Sequence, residues 1–476
     1  MDLDDISNIA IPYGPNASTC GYCSPPGQRS KIATNYHTAS LEAIKLSCEV
    51  YQGMIDRGWR RSGSYCYKPD LKLSCCPQYT IRLDATEFKP SRSQRQLLNR
   101  WNRFVLFEDS YVGEGANQDT RNGSTSNSKP SKKPPKLAPF TSLTKTIHES
   151  EVNFQTSSKP RNKFEVILEP ASYTPEKFAL YQRYQADIHS DVKNSPNGFK
   201  RFLVNSPLQP HPIPYTSPPP DHLPLNYGSY HQLYKLNGQL IGMGVLDILP
   251  KCVSSVYFMY DKAMERFSLG KLSALREISL AQEIREAGAS EMEYLYMGFY
   301  IYSCQKMRYK GDYSPSYLAD PETYEWFPLA SCIPILQKHR YACFSEASHS
   351  VIDKVAKNDT NGNGNDVEAT GSDSSDAVDV EMEDQECEQE SLDHAWDEGE
   401  CEQEEDEGFL PSPSESETMP DELDDIKILA RSETGNIFAM PIKETGYLRF
   451  KQVRVELGAC LEGLGEQLVK EISFSL

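Results

Sequence analysis

The chain has 476 residues, a formal charge of −19 and a mean hydropathy of −0.58, with 38% hydrophobic and 10% aromatic residues. That length gives room for two or three domains of roughly 100 to 200 residues and for a real core. No apolar run approaches the roughly 20 residues of a bilayer span, and the acidic start Met1-Asp2-Leu3-Asp4-Asp5 lacks the positive charge of a secretory or mitochondrial leader. A soluble intracellular protein without a membrane partner is expected, in the cytoplasm and, as a second compartment, the nucleus.

The negative charge is concentrated. Between Asn358 and Ile426 there are 27 Asp and Glu and no Lys or Arg, and without that segment the formal charge is +8. The rest of the chain is mildly basic and compatible with an RNA partner. The 13 cysteines, an odd number scattered from Cys20 to Cys460, fit reduced thiols better than a disulfide framework. A cluster among them points to metal or redox chemistry.

Residues 1–108 form a first, Cys-rich unit ending in a predicted helix over 91–107, where Leu97, Leu98, Trp101, Phe104 and Val105 recur at spacings of three and four. Residues 109–153 shift to Ser, Asn, Lys and Pro, with SKPSKKPPK near the middle, and read as a flexible basic linker; an RNA-binding arm is the alternative. A second unit spans 154–344. Within it, 163–168 alternates like a strand, and 175–189 reads as a helix capped by Thr174 with Pro175 in its first turn. Asn237-Gly238 between two strand-like runs is a strong hairpin signal, and 252–260 continues the series. An amphipathic helix is predicted over 271–285 and a strand over 293–302. This order of elements suggests an α/β (α+β) sheet domain rather than a sandwich. Residues 345–426 read as a disordered acidic insert, and 427–476 as one strand at 447–455 and a helix at 461–472 that return to the fold.

Several groups of residues carry chemistry. Cys20 and Cys23 form a C-x-x-C pair, with Cys75-Cys76 some fifty residues later; four thiolates suit tetrahedral zinc or an Fe-S cluster. The adjacent pair departs from a zinc ribbon, and ordinary unligated thiols are the alternative. RGWRR at 57–61 places Arg57, Arg60 and Arg61 around Trp59, a composition suited to phosphate or carboxylate binding with stacking. The alternative is that Trp59 packs in the core while the arginines solvate the surface. In QKMRYKGDY, Lys306, Arg308 and Lys310 would share one face of an extended segment and meet phosphates, or simply protect an exposed strand. SLGKLSALRE at 268–277 opens a helix whose amides can hold an anion. Asp261, ending VSSVYFMYD, and Glu277, in ALRE, are the candidate carboxylates; capping and a helix-surface ion pair are their alternatives. His189, following a helical aromatic run, is read as structural.

Within 18–83, CGYC, IDRGWRRSGSYCYKPD, CC and PQYTIRL occur in a series that resembles the N-terminal domain of the eukaryotic arginyl-tRNA-protein transferases. Independently, YQRYQADIHSD, FKRFLVNSPL, VSSVYFMYD, SLGKLSALREI and SCQKMRYKGDYSPSYLADPETYEW resemble that family's C-terminal domain. The resemblance implies a GNAT-type acetyltransferase-like C-terminal domain beside a Cys-rich N-terminal domain. It implies transfer of arginine from arginyl-tRNA, the co-substrate, to the α-amino group of proteins with N-terminal Asp, Glu or oxidised Cys. The product then marks its bearer for ubiquitin-dependent degradation, with ubiquitin-ligase pathway components as further candidate partners. No organic cofactor is implied; a metal, as Fe-S or zinc, is implied at Cys20, Cys23, Cys75 and Cys76.

On that resemblance Arg57, Trp59, Arg60, Arg61, Arg276, Lys306, Arg308 and Lys310 are the candidate contacts to substrate and tRNA, and Asp261 and Glu277 the candidate catalytic carboxylates. An arginyl ester is already activated and an α-amine has a pKa of about 7.7 to 8.0. A modest base therefore suffices, and positioning contributes more. Two other readings stay open: a non-catalytic metal-binding adaptor whose acidic insert recruits basic partners, and a CoA-dependent N-acetyltransferase. The departure of SLGK from a glycine-rich pyrophosphate loop fits a donor other than CoA.

Overall fold

The computed structural model describes residues 6–23, 29–32, 36–107, 139–154, 160–352, 424–432 and 436–476. SKPSKKPPK and most of the expected acidic insert lie outside the described residues.

Strand β1 (Ile9–Ser18) pairs antiparallel with β2 (Tyr36–Ser47), which runs into helix α1 (Cys48–Asp56), where the Ser47 hydroxyl accepts from the Val50 N–H at 3.2 Å. Strands β3 (Arg60–Ser62) and β4 (Tyr65–Pro69) extend this sheet beyond β2. Their turn requires Gly63: φ is +62° and an added Cβ would lie 2.0 Å from the Arg201 carbonyl oxygen. Then come β5 (Tyr79–Asp84) and α2 (Arg92–Phe107), the latter burying Leu98, Trp101 and Val105 as its spacing predicts.

Part of the segment whose composition reads as linker is ordered secondary structure. Helix α3 (Leu143–His148) starts where the Ser142 hydroxyl accepts from the Lys145 N–H at 3.2 Å, and it buries Leu143 and Ile147. Strand β6 (Phe164–Pro170) and helix α4 (Pro175–His189), capped by Thr174, follow the prediction. After α5 (Pro196–Phe199) and the short β7 (Leu208–Gln209) and β8 (His211–Pro212), the hairpin series is β9 (Asn226–Leu236), β10 (Gln239–Ile248) and β11 (Cys252–Tyr260). Helix α6 (Leu269–Glu286) crosses over to β12 (Tyr294–Tyr300).

The predicted extended segment through 306–310 is instead helical: α7 (Gln305–Arg308) passes directly into a 3-10 turn at Tyr309–Asp312. The chain must reverse there to lay β13 (Ser316–Ala319) against β5, before β14 (Trp326–Pro328) and α8 (Leu329–Leu336). The predicted strand at 447–455 is also helical, since Tyr447–Arg449 forms a 3-10 turn and α9 (Lys451–Glu471) begins two residues later. The local alternation loses to a longer stripe, Leu457, Cys460, Leu461 and Leu464, which helical spacing buries on one face. The strands of this region are β15 (Lys427–Arg431), β16 (Ile437–Pro441) and β17 (Ser473–Phe474).

Two open sheets result, in a mixed α/β architecture of the α+β kind. One has the order β16-β15-β17-β1-β2-β4-β3 with β7 beside β2; the other is β14-β13-β5-β12-β11-β10-β9-β6 with β8 beside β9. The sequence units interlock: β5, from the first, lies between β12 and β13, while β17, at the C-terminus, pairs parallel with β1. Among the described residues the largest apolar cluster runs through both sheets, joining Leu46, Trp59, Leu83, Ile248, Leu275 and Leu457.

The feature that positions the site is the pairing of β11 with β12. These strands run parallel only over Cys252–Ser254 against Tyr294–Tyr296. Beyond that, β11 stays with β10 as far as Tyr260 and β12 with β5 as far as Tyr300, so the sheet parts into a V. The carboxyl ends of parallel strands that diverge are where open α/β sheets accept ligands. No helix among the described residues is long and apolar enough to cross a membrane.

Candidate active site where two parallel strands part

Helix α6 places Ser273 and Glu277 four residues apart on one face. Ser273 Oγ donates to Glu277 Oε1 at 2.7 Å, and the Tyr234 hydroxyl of β9 reaches Ser273 Oγ at 3.1 Å and Gln232 Oε1 at 2.7 Å. Ser255, the first β11 residue past the pairing with β12, also hydrogen-bonds Glu277. Burial raises the Glu277 carboxyl to about 7, against the two serine hydroxyls that pull it down. Glu277 and Ser273 are buried but Ser255 is only half-buried. Of the two serines bonded to Glu277, Ser255 is the more exposed.

The β12 side of the V carries positive charge. Gly298, at φ +73°, sits in an irregularity of β12 between Tyr296 and Phe299. The two consecutive carbonyls there are both held by cations. Arg60 Nη2 donates to the Gly298 oxygen at 3.2 Å, and Lys310 Nζ to the Phe299 oxygen at 2.8 Å. Burial, helped by the Arg60 charge, lowers the Lys310 ammonium to about 7. Arg60 is itself fixed by the Ile55 and Trp59 carbonyls at 3.1 and 2.6 Å and stands 4.9 Å over the Phe299 ring.

Other predicted site residues lie elsewhere. Trp59 is fully buried and donates to the Gly463 oxygen at 3.0 Å, while Arg57 lies 4.0 Å over the Tyr324 ring. Arg61 is buried in a bidentate pair with Asp247, Nε to Oδ2 at 2.8 Å and Nη2 to Oδ1 at 2.6 Å. Arg60 and Arg61 are therefore not a solvated surface. Arg276 makes a buried bidentate pair with Glu151, Nη2 to Oε2 at 3.0 Å and Nη1 to Oε1 closer still. Asp261 caps the 3-10 turn Lys262–Phe267 by accepting from the Ala263 N–H at 3.1 Å, and sits 3.5 Å from Arg183. The five residues from Val256 to Tyr260 of β11 lie between it and Ser255, a span of about 20 Å in extended strand. Asp261 and Glu277 are therefore not brought together. Lys306 is half-buried and Arg308 exposed on α7, the guanidinium 5.9 Å over the Tyr302 ring.

The four predicted cysteines do converge. The sulfurs of Cys20, Cys23, Cys75 and Cys76 all lie within 4.8 Å of one another, with Cys23 and Cys75 at 3.7 Å. A tetrahedral ion with sulfur bonds of about 2.3 Å has edges of roughly 3.8 Å, so the donor set fits a single thiophilic ion. Hydrogen bonds from Cys75 and Cys76 hold Cys20 far below the usual thiol range. The cluster packs against Ile301, Cys304 and Met307, the segment that leads into and forms α7.

Sequence reasoning did not name Ser255, Ser273 or Tyr234. The spacing of Ser273 from Glu277 was a usable signal; the contact with Tyr234, 39 residues before Ser273, had none. Residues 18–96 match the family described as arginine-tRNA-protein transferase, N terminus, and residues 176–320 its C terminus. Every residue of the V described above falls in one of these two stretches. Arginyl-tRNA--protein transferase 1 of Drosophila melanogaster is 34% identical over 430 residues, covering 71% of this chain and 86% of its own. Its Saccharomyces cerevisiae namesake is 32% identical over 332 residues, 63% of this chain and 59% of its own. An aspartate/glutamate leucyltransferase of Methylobacillus flagellatus is 26% identical over 323 residues, 67% of this chain and 91% of its own.

Proposed function

Because this chain belongs to the arginyl-tRNA-protein transferase family, and is thus an aminoacyltransferase, we propose that it transfers arginine to the α-amino group of proteins beginning with Asp, Glu or oxidised Cys, using the V between β11 and β12. The observation that carries this reading is the convergence of Arg60 and Lys310, one from each matched region, on consecutive carbonyls of β12 where it leaves β11. Two stretches far apart in sequence thereby build one centre. The crossover β11–α6–β12 is read as GNAT-like, with the aminoacyl end of tRNA in the place of an acyl-CoA.

In the reaction the acceptor nitrogen attacks the ester carbonyl carbon. The new C–N bond replaces the C–O bond to the terminal ribose, whose oxygen leaves with the proton that Glu277 takes from the nitrogen and passes on. The acceptor nitrogen sheds its proton through Ser255 to Glu277, whose carboxyl near 7 matches an α-amine that titrates at about 7.7 to 8.0. Arg60 and Lys310 fix the β12 wall through its carbonyls, and Arg60 adds positive potential near the leaving oxygen. Lys306 and Arg308 supply phosphate contacts at the mouth. In this reading Trp59, Arg57, Arg61 and Arg276 build the frame, and Asp261 orders the turn before α6.

Cys20, Cys23, Cys75 and Cys76 would hold zinc or iron, and their compact spread favours a single ion over a multi-iron cluster. When bound, the metal supplies a cross-link between the two cysteine loops rather than acid-base chemistry. The arginylated products are destined for ubiquitin-dependent degradation in the cytoplasm and nucleus.

The leucyltransferase relative bears aspartate and glutamate in its name, which supports acidic acceptors shared across different aminoacyl donors. The test is a panel of otherwise identical peptides beginning with Asp, Glu, Cys sulfonate, Gly or Lys, incubated with labelled arginyl-tRNA. Label on the first three at rates at least tenfold above the last two is expected. Equal labelling of all five would overturn the acceptor assignment.

A further inference from the structure

Away from the V, three segments meet at a compact group of nitrogen and oxygen ligands. His148, at the end of α3, and His222, in the loop before β9, both aim Nε2 at the same atom, Oε2 of Glu283 in α6, at 3.0 and 2.7 Å. Phe154 walls the group, stacking on His148 with ring centroids 3.7 Å apart and meeting His222 edge-on at 5.0 Å.

The surroundings orient two of the three. His148 Nδ1 faces Glu151 Oε2 at 3.2 Å, and Glu151 is locked by Arg276. The other oxygen of Glu283 accepts from Ser279 Oγ at 2.8 Å. A carboxylate on the far nitrogen of a histidine and a hydroxyl on the far oxygen of a carboxylate are the outer contacts that orient metal ligands. With Nδ1–H committed to Glu151, a neutral His148 turns its Nε2 lone pair on a carboxylate oxygen, while His222 meets the same oxygen through its own Nε2. The His148 contact repels unless a cation lies between the two atoms. A second proton on His148 answers this, and so does one divalent ion held by all three side chains.

We propose that His148, His222 and Glu283 bind a divalent transition-metal ion of the zinc class, separate from the four-cysteine cluster. The three ligand atoms already lie within 4.8 Å of one another, and tetrahedral zinc with bonds of about 2.0 to 2.2 Å spaces its ligands at roughly 3.4 Å, so the His148 and His222 contacts to Glu283 open by about 0.4 and about 0.7 Å. His222, with its side chain 30% exposed, lies on the open side, where water completes the coordination. The ion clips the 139–154 segment and the loop before β9 onto α6, the helix that carries Glu277.

The test strips the full chain of metal, titrates it with ZnCl2 and counts bound zinc by mass spectrometry after desalting. Co2+ in place of zinc then reports each site by absorbance, because thiolate ligands give a near-ultraviolet charge-transfer band and nitrogen-oxygen ligands do not. His222→Ala and Glu283→Gln are each expected to lose one zinc relative to the unsubstituted protein while keeping the cobalt-thiolate band. That band, together with circular dichroism, shows the fold is intact. Cys75→Ser should do the converse, losing the band and keeping the histidine-bound ion. Unchanged zinc content in both His222→Ala and Glu283→Gln, or no saturable zinc binding beyond the cysteine site, overturns the proposal and leaves the group as two histidines hydrogen-bonded to a carboxylate.

Discussion

Glu277→Gln is expected to slow arginine transfer by roughly 100-fold or more, the usual loss when a positioned base is removed, and to make the folded protein more stable at pH 8. The two effects share one cause. Burial holds the folded-state carboxyl near 7, above its ordinary 4.5. Between those values the native state keeps a proton that the unfolded chain has released. The native state therefore loses stability as pH rises through that window, and the loss is complete above about 7. A rise of about 2.5 pH units corresponds to about 3 kcal/mol at pH 8. Glutamine carries no charge to bury, so the variant should gain up to that amount at pH 8 and nothing at pH 4. The rate of the unsubstituted protein should show a rising limb near pH 7 that the variant lacks. A variant with near-normal transfer and an unaltered pH profile would remove Glu277 from the mechanism.

Asp247→Ala is expected to destabilise the protein by about 3 to 5 kcal/mol. It leaves the buried Arg61 guanidinium without its bidentate partner, in a site where both side chains are almost wholly shielded from water. Arg61 belongs to β3 in one sheet and Asp247 to β10 in the other, so the pair bolts the two sheets together. The paired replacement Arg61→Met with Asp247→Leu should recover most of the loss, since neither charge is then stranded. Denaturant unfolding followed by tryptophan fluorescence measures both. A loss below about 1 kcal/mol for Asp247→Ala would mean that the sheets do not depend on this contact.

Local pattern carried much of the second unit. The helix 175–189, the Asn237-Gly238 hairpin and the α6 crossover were legible because capping residues, turn residues and apolar spacing act over a few positions. The convergence of the four cysteines was legible because two thiol pairs name a candidate ligand set whatever fold joins them. The interlock of β5 with β12 and β13 had no local signal, since a strand's neighbours are set by topology. Burial of the arginines was equally hidden: in RGWRR a core position for Trp59 was one of the two readings, but both left the arginines facing a ligand or solvent, whereas Arg60 and Arg61 lie inside because Asp247 and a set of backbone carbonyls wait there for their donors. In 447–455 the reading as a strand weighed too short a window, since the helical spacing of Leu457, Cys460, Leu461 and Leu464 lies just beyond it.

The central claim is that this V accepts an aminoacyl ester of tRNA, with arginine as the group moved. The most direct measurement offers the purified full chain a peptide beginning with Asp, together with one labelled donor at a time: arginyl-tRNA, leucyl-tRNA or acetyl-CoA. Label is expected on the peptide α-amine from arginyl-tRNA alone. Label from acetyl-CoA would make the chain an acetyltransferase, label from leucyl-tRNA a leucyltransferase, and the absence of label from all three would contradict the assignment of any transfer chemistry to this site.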